Sequence, residues 1–426
     1  MRKPVDSEKI EKADGGVFFG WYIVAASIAL YTFYGGTLMF GFPVLVRYIL
    51  EDYEWSRGSV GLAAGILAME AGLLTPVYGW IVDRYGTRGP TLVGAVIGAV
   101  GFLVLSRTDS LAMFYTGFFL AGLGLGVWWV TPLAAITNWF AARRTLAIGI
   151  AMTGWGLSGT VAPVLVSLIE RYGWRSTLLG IAAATLVVGV SLGSLLRYRP
   201  EDHGYSVDGV SPNAGNGSGA AADIREPPGL SARAALRTRE FRILAVVYFG
   251  ALLATAALYP HMVLYLGDVG IDTETAALAI ATMSISSNLG RLGGGLLGDR
   301  LDKRLVLVAG LIGLGLGTFA FAFVRETWHL AILLLIGPSY GALGPLIPTL
   351  IGDLFGRRAF ALLLGLCMLP STIILFGVPS AAGWVSDSFG SYRPAWIAVA
   401  LVTLAIAPLG LWVRQPHVDD LGDAAK

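Results

Sequence analysis

The chain is poor in the residues that usually carry chemistry. Its one cysteine, Cys367, can form no internal disulfide and has no thiol partner for a metal site. Charged residues make up 14% of the chain, against ~25% in a typical soluble domain. A net charge of +2 gives no polycationic surface, so nucleic acid is not an expected partner. No HExxH, no phosphate-binding Gly-rich loop with its lysine and no nucleophile motif is present. Neither an enzyme, nor a cofactor, nor a metal is therefore expected.

What the chain has in excess is apolar length: hydrophobic residues reach 55%, with 57 glycines and a mean hydropathy of +0.69. A membrane-spanning helix needs ~20 mostly apolar residues. Twelve such stretches can be read, at about 18–46, 58–82, 89–106, 110–137, 145–169, 176–196, 243–267, 275–298, 305–324, 330–352, 359–386 and 394–413. Continuous runs such as LVGAVIGAVGFLVL favour helices over the alternating segments of a membrane barrel. The first run lacks a small-residue cleavage pattern and reads as a retained anchor.

Loop charge predicts orientation. With both ends in the cytoplasm, the inner segments hold twenty-two Lys and Arg and the outer loops seven, while Arg291 lies inside the eighth span. The expected organisation is a cytoplasmic tail (1–17), a six-helix bundle (18–197), a cytoplasmic linker (198–241), a second six-helix bundle (242–414) and a cytoplasmic tail (415–426). The middle of the linker, SVDGVSPNAGNGSGAAADIREPPG, reads as flexible, and SARAALRTREF from Ser231 as a short basic surface helix.

The halves repeat. Gly79, Asp83, Arg84 and Arg88 recur as Gly295, Asp299, Arg300 and Arg304, one GxxxDRxxxR pattern twice at an offset of 216. Pro163 and Pro379 share that offset, and Phe140, Arg143 and Arg144 answer to Phe355, Arg357 and Arg358 at nearly the same one. Two parallel six-helix repeats are the architecture of carriers that rock two bundles about a midplane site. In the membrane only Glu70 and Arg291 are formally charged, and His261 is titratable. Ser284, Ser287, Asn288 and Arg291 fall on one helix face. A guanidinium at the end of such a stripe suits a carboxylate. The competing reading is a structural salt bridge between Arg291 and Glu70.

With these features the chain resembles the major facilitator superfamily over essentially its whole length. Three segments are similar to the monocarboxylate transporter family and its prokaryotic oxalate:formate antiporter relatives: DGGVFFGWYIV at 14–24, NWFAARRTLAIGIAMTG at 138–154 and PEDHGYSVDG at 200–209. The first departs from the family by two extra residues before Gly20. The resemblance implies that Arg291 is the substrate-binding arginine and that the GxxxDRxxxR turns latch one conformation, with Asp83 and Asp299 meeting arginines and helix N-termini of a neighbouring bundle. The aspartate and the span-one lysine of the proton-coupled eukaryotic members are missing, Ser287 standing where the aspartate would be, and Glu70 and His261 are the candidates to carry a proton instead. The span-eleven lysine of the oxalate exchanger is missing too, which favours a small monoanion. Asn288 and Ser287 beside Arg291, and the aromatics Tyr340, Trp128 and Tyr34 ahead of Tyr31, Trp129 and Tyr259, are the expected substrate neighbours. The expectation is a monomeric secondary carrier in the cell (inner) membrane moving lactate- or pyruvate-like anions by proton symport. An anion exchanger, or a facilitator for another organic anion, is the alternative.

Overall fold

The computed structural model describes residues 17–53, 55, 57–209 and 229–414. The expected flexible middle of the linker (210–228) and nearly all of both tails lie outside the described residues.

All regular structure among the described residues is helical: twelve rods, with three short helical pieces between the sixth and the seventh. The first six are α1 (Gly20–Tyr34, a π turn Gly35–Met39, then Gly41–Asp52), α2 (Arg57–Leu73, Thr75–Tyr85), α3 (Arg88–Ser106), α4 (Leu111–Leu125, Val127–Trp139), α5 (Arg144–Leu157, Ser158–Thr160, Val161–Tyr172) and α6 (Trp174–Leu195). The second six are α7 (Arg239–Asp268), α8 (Thr273–Arg300), α9 (Lys303–Phe321), α10 (Thr327–Ile332, Leu333–Phe355), α11 (Phe360–Met368, Ser371–Phe389) and α12 (Arg393–Ile406, Ala407–Trp412). Before α7 a short helix, Ala232–Arg237, is capped by the Ser231 hydroxyl, which accepts from the Ala234 amide.

The apolar surplus has two destinations. Large side chains such as Phe102, Phe114, Phe118, Phe321 and Trp396 are fully buried between helices. Others stand outward: Ile285 is 68% exposed, Leu289 66% and Val187 67%, which is the pattern of a lipid-facing surface. Close approach of helices rests on glycine. A Cβ at Gly290 would strike the Pro338 carbonyl, and one at Gly341 the Ser287 carbonyl, so α8 and α10 pack backbone to backbone. Among the described residues, nine of the rods are apolar and long enough to cross a bilayer by themselves.

One face of the bundle gathers the loops that carry most of the chain's Lys and Arg. Phe18 packs on Trp139 and Phe140, the Leu230 amide donates to the Phe355 carbonyl at 2.9 Å, and Arg304 donates to the Val413 carbonyl at 3.4 Å. We call this the terminal face.

Candidate functional site

The polar stripe of α8 forms as its spacing predicts. Arg291 is 5% exposed, and its Nη1 donates to Ser287 Oγ at 2.6 Å and to Asn288 Oδ1 at 3.1 Å; Ser287 Oγ in turn donates to the Ser284 carbonyl. These bonds fix the guanidinium within its own helix. No carboxylate among the described residues pairs with it. Burying an arginine without a counter-charge costs at least ~2.5 kcal/mol in a membrane. Such a group is retained when something else supplies the negative charge.

Arg291 lines a small pocket with Trp129, Met152, Trp155, Tyr248 and Tyr340. Six rods meet there: α4, α5, α7, α8, α10 and α11. The pocket shares Trp129, Trp155, Tyr248, Leu252, Tyr340 and Met368 with a larger cavity of about 410 Å³ that continues past Tyr34, Glu70 and Tyr78 to Met39 and Phe42. Glu70 is 3% exposed, and neither carboxylate oxygen has a hydrogen-bond partner among the described residues. It is seated against Gly122 of α4, where a Cβ would collide with Oε2. The salt bridge between Arg291 and Glu70 that sequence alone left open does not form. The chamber therefore holds a guanidinium and a carboxyl, both nearly buried and not engaged with each other, between aromatic walls.

The sequence-nominated neighbours divide. Tyr34 and Tyr340 line the cavity, and Ser287 and Asn288 hold Arg291. Trp128 does not reach it. Its indole N–H is satisfied by the Thr91 carbonyl of α3 at 3.1 Å and the side chain is fully buried there, whereas Trp129, one residue or ~100° further round the helix, faces the chamber. Tyr31 is likewise turned away, donating to the Trp129 carbonyl. His261 is also elsewhere: Nε2 lies 2.9 Å from the Pro379 carbonyl of α11, and the ring packs on Tyr392 with centroids 5.1 Å apart. Trp155, Tyr248 and Met368 were missed. Trp155 sits in TGWGLSG, where the glycines draw attention to helix packing; its spacing from Met152 on the same face was the available signal. The Trp129 Nε1–H to Met368 Sδ contact, 3.2 Å, joins the two halves across the chamber.

The repeated GxxxD motifs close the terminal face in two symmetric contacts. Asp83 at the end of α2 accepts from the amides of Ala361 and Leu362 at 3.1 and 2.8 Å, and Asp299 at the end of α8 accepts from Thr145 and Leu146 at 3.0 and 2.9 Å. α5 and α11 have no side-chain cap of their own, unlike α4, α7 and α8, so each is capped by an aspartate from the other half. The motif glycines permit the approach: a Cβ at Gly79 would meet the Ala361 carbonyl, and one at Gly295 the Thr145–Leu146 backbone. Of the expected partners of Asp83 and Asp299, the helix N-termini are the ones met, and among the described residues no motif arginine bridges the halves. Arg84 lies over the rings of Trp80 and Tyr85, Arg304 turns to Asp302, and Arg88 and Arg300 are exposed. Other cross-half ties come from Arg144 to Asp353 (2.6 Å) and Arg357 to Glu201 (3.1 Å). The 200–209 segment adds Asp208, which accepts from the Ala141 and Ala142 amides.

Comparison with known proteins agrees with this architecture. The family model described as Major Facilitator Superfamily matches residues 24–366 and 244–425. The chain is 29% identical over 422 residues to monocarboxylate transporter 13 of Bos taurus, covering 96% of this chain and 92% of that one. It is 26% identical over 408 residues to monocarboxylate transporter 11 of Mus musculus, covering 92% and 86%. Among solved structures, the transporter FucP in the outward conformation superposes with a TM-score of 0.71 at 17% identity, over 94% of this chain and 100% of that one. With the family model and the carriers alike matched over most of its length, the chain belongs to the Major Facilitator Superfamily, and within it is a monocarboxylate-transporter-like membrane transporter rather than an enzyme.

Proposed function

We propose that the chain is a secondary carrier for small monocarboxylates of the lactate and pyruvate kind, working by alternating access in the cell (inner) membrane with the terminal face in the cytoplasm, as a monomer and by proton symport. The observation that carries the reading is the buried, carboxylate-free guanidinium of Arg291 at the edge of an aromatic cavity. A carboxylate entering there replaces the missing counter-charge and gains charge-assisted hydrogen bonds. Met152, Trp155 and Tyr340 offer the apolar body of a short organic acid its contacts. Among the described residues the walls bring no second cation, which favours a monoanion over a dicarboxylate.

In this reading the molecule faces outward: the terminal face is closed by Asp83 and Asp299, while the cavity runs toward Met39 and Phe42 near the opposite end of α1. Substrate binding at Arg291 draws the halves together around Trp129, Tyr340 and Met368. The two aspartates then release the N-termini of α11 and α5, and the terminal face opens. Glu70 is the carboxyl in the same chamber on which a co-transported proton can ride. His261, held by the Pro379 carbonyl, is outside the path.

The test is uptake of labelled lactate, formate and oxalate into proteoliposomes, each with and without an inward proton gradient. Lactate accumulation driven by the gradient supports the reading. Uptake that needs internal formate or oxalate and ignores the gradient would make the protein an exchanger. No uptake of any of the three by folded protein would overturn the substrate class.

A further inference from the structure

A second polar site lies on the terminal face, away from the transport cavity. A cleft of about 500 Å³ is formed by the turn from α2 to α3 (Tyr85, Gly86, Thr87, Arg88), the end of α6 with Arg197 and Tyr198, and the Glu201–His203 turn. The repeat supplies its own control. At the 216-residue offset the corresponding cleft in the second half contains Asp302, Lys303, Arg304 and Val413. There the cations at the matching turn, Lys303 and Arg304, are both answered, and Arg414 lines the cleft beside them. Arg304 is bonded to Asp302 and to the Val413 carbonyl, and Lys303 pairs with Asp353 at 2.8 Å. Arg304 also holds the Asp302 carboxyl below the usual carboxylate range.

In the first half each of those answers is gone. Asp302 becomes Gly86, Asp353 becomes Thr137, and Val413 becomes a further cation, Arg197. Neither Arg88 nor Arg197 forms an ion pair among the described residues; Arg197 instead lies over the Phe19 ring, 4.1 Å from its centroid. Among the described residues the one acid lining the cleft is Asp202. The imidazole of His203 registers the surplus: burial, then Arg197 and Arg88, push it below its usual value against the opposing pull of Asp202. The cleft therefore sets two arginines without an ion pair, Arg88 and Arg197, at the positions where its twin has an aspartate-bonded Arg304 and the neutral Val413. It opens beside lipid-facing surface, with Trp80 and Tyr85 of α2, Val93 of α3 and Val190 of α6 all exposed. An aromatic pair under a guanidinium, Arg84 over Trp80 and Tyr85, marks the height of a membrane interface.

We propose that this cleft binds a phosphate-bearing anion, the headgroup of an anionic phospholipid, between Arg88 and Arg197. Guanidinium pairs match phosphate oxygens in geometry as well as charge, and the adjoining apolar faces receive the acyl chains. The site is coupled to the closed face. Tyr198 reaches Asp83 with its hydroxyl at 3.4 Å, and Thr87 donates to the Leu196 carbonyl at 2.6 Å. A bound headgroup holds these segments together and favours the closed terminal face. The proposal does not depend on the identity of the transported substrate.

The experiment is thermal unfolding of the full chain in detergent with added phosphatidylglycerol, phosphatidylcholine or inorganic phosphate. Phosphatidylglycerol is expected to raise the melting temperature and phosphatidylcholine to leave it unchanged. Arg88→Gln and Arg197→Gln should each reduce the rise, while Arg304→Gln, at the neutralised twin, should preserve it. Asp202→Asn, which removes the opposing acid and keeps both arginines, should enlarge it and serves if an arginine variant fails to fold. A rise with inorganic phosphate that the same variants lose would keep the site and make its ligand a soluble phosphate. A rise equal for both lipids, or one that both arginine variants retain, would overturn the proposal.

Discussion

α2 and α8 occupy equivalent places in the two repeats, yet they share only one end. At the terminal face they are near copies: Gly79 and Gly295 admit a neighbouring backbone, and Asp83 and Asp299 cap a helix of the other half. In the membrane they part. The position of Arg291 is Thr75 in α2, and that of Glu70 is Ser286 in α8. In the proposed function, closing and opening act on both halves at once, which suits a symmetric latch, and the proposed monoanion has one charged end, which suits an asymmetric chamber.

The largest expected effect separates Arg291 from its counterpart. Leaving a carboxylate without its buried partner costs 2–5 kcal/mol, so Arg291→Ala should lower initial uptake about 100-fold or more at equal amounts of folded protein. Thr75→Ala, at the matching position, should change it by less than about threefold; equal losses would erase the distinction between the walls.

Next come the latches. Asp83→Asn and Asp299→Asn each remove one of two carboxylate acceptors from a helix start, worth about 1–3 kcal/mol. Both should slow exchange between the two faces by about tenfold, read from the rate of counterflow, and a large difference between them would break the symmetry.

A smaller effect is expected at the acidic wall. Glu70→Gln should leave uptake within a few-fold and flatten its response to the proton gradient. Gly122→Ala, whose Cβ displaces the Glu70 carboxyl, should act in the same direction, and His261→Ala should not. A full gradient response in Glu70→Gln would clear that residue of coupling.

The smallest effect is a pH dependence of the α2 latch. Burial lifts the Asp83 carboxyl to about 6, against the pull of the Leu362 and Ala361 amides. The closed face then holds its proton more tightly than an opened, solvated one. That added stability is full below the ordinary carboxylate range and is lost as pH rises through about 6. Hydrogen exchange at Ala361 and Leu362, corrected for intrinsic rates, should be less protected at pH 7 than at pH 5, and Asp83→Asn should abolish the difference.

The scaffold was legible because its signals are redundant: a long apolar run specifies a spanning helix many times over, and the 216-residue offset ties Asp83 to Asp299. The stripe Ser287, Asn288, Arg291 was legible because it lies within one helix. What lay between helices was not. Trp128 and Trp129 are adjacent in sequence, and only the packing of α3 against α4 decides which one meets the chamber. The same holds for His261, drawn aside by the carbonyl at Pro379, and for Tyr248 and Met368, whose neighbours are distant in the chain.

The borrowed caps of α5 and α11 bear on how evenly the two faces can be balanced. When the terminal face parts, four backbone amides lose carboxylates, and water can take their place. The exchange forfeits only the net worth of four hydrogen bonds, ~0.5–1.5 kcal/mol each. A gap of that size leaves the second state a minor population that a ligand can promote, since a complete reversal needs only about 5.5 kcal/mol of preference. A helix finished within its own half would keep its cap in either state and contribute nothing to this choice. By finishing each helix in the other half, the fold would, under the proposed function, set its resting population at the point where one small anion tips it.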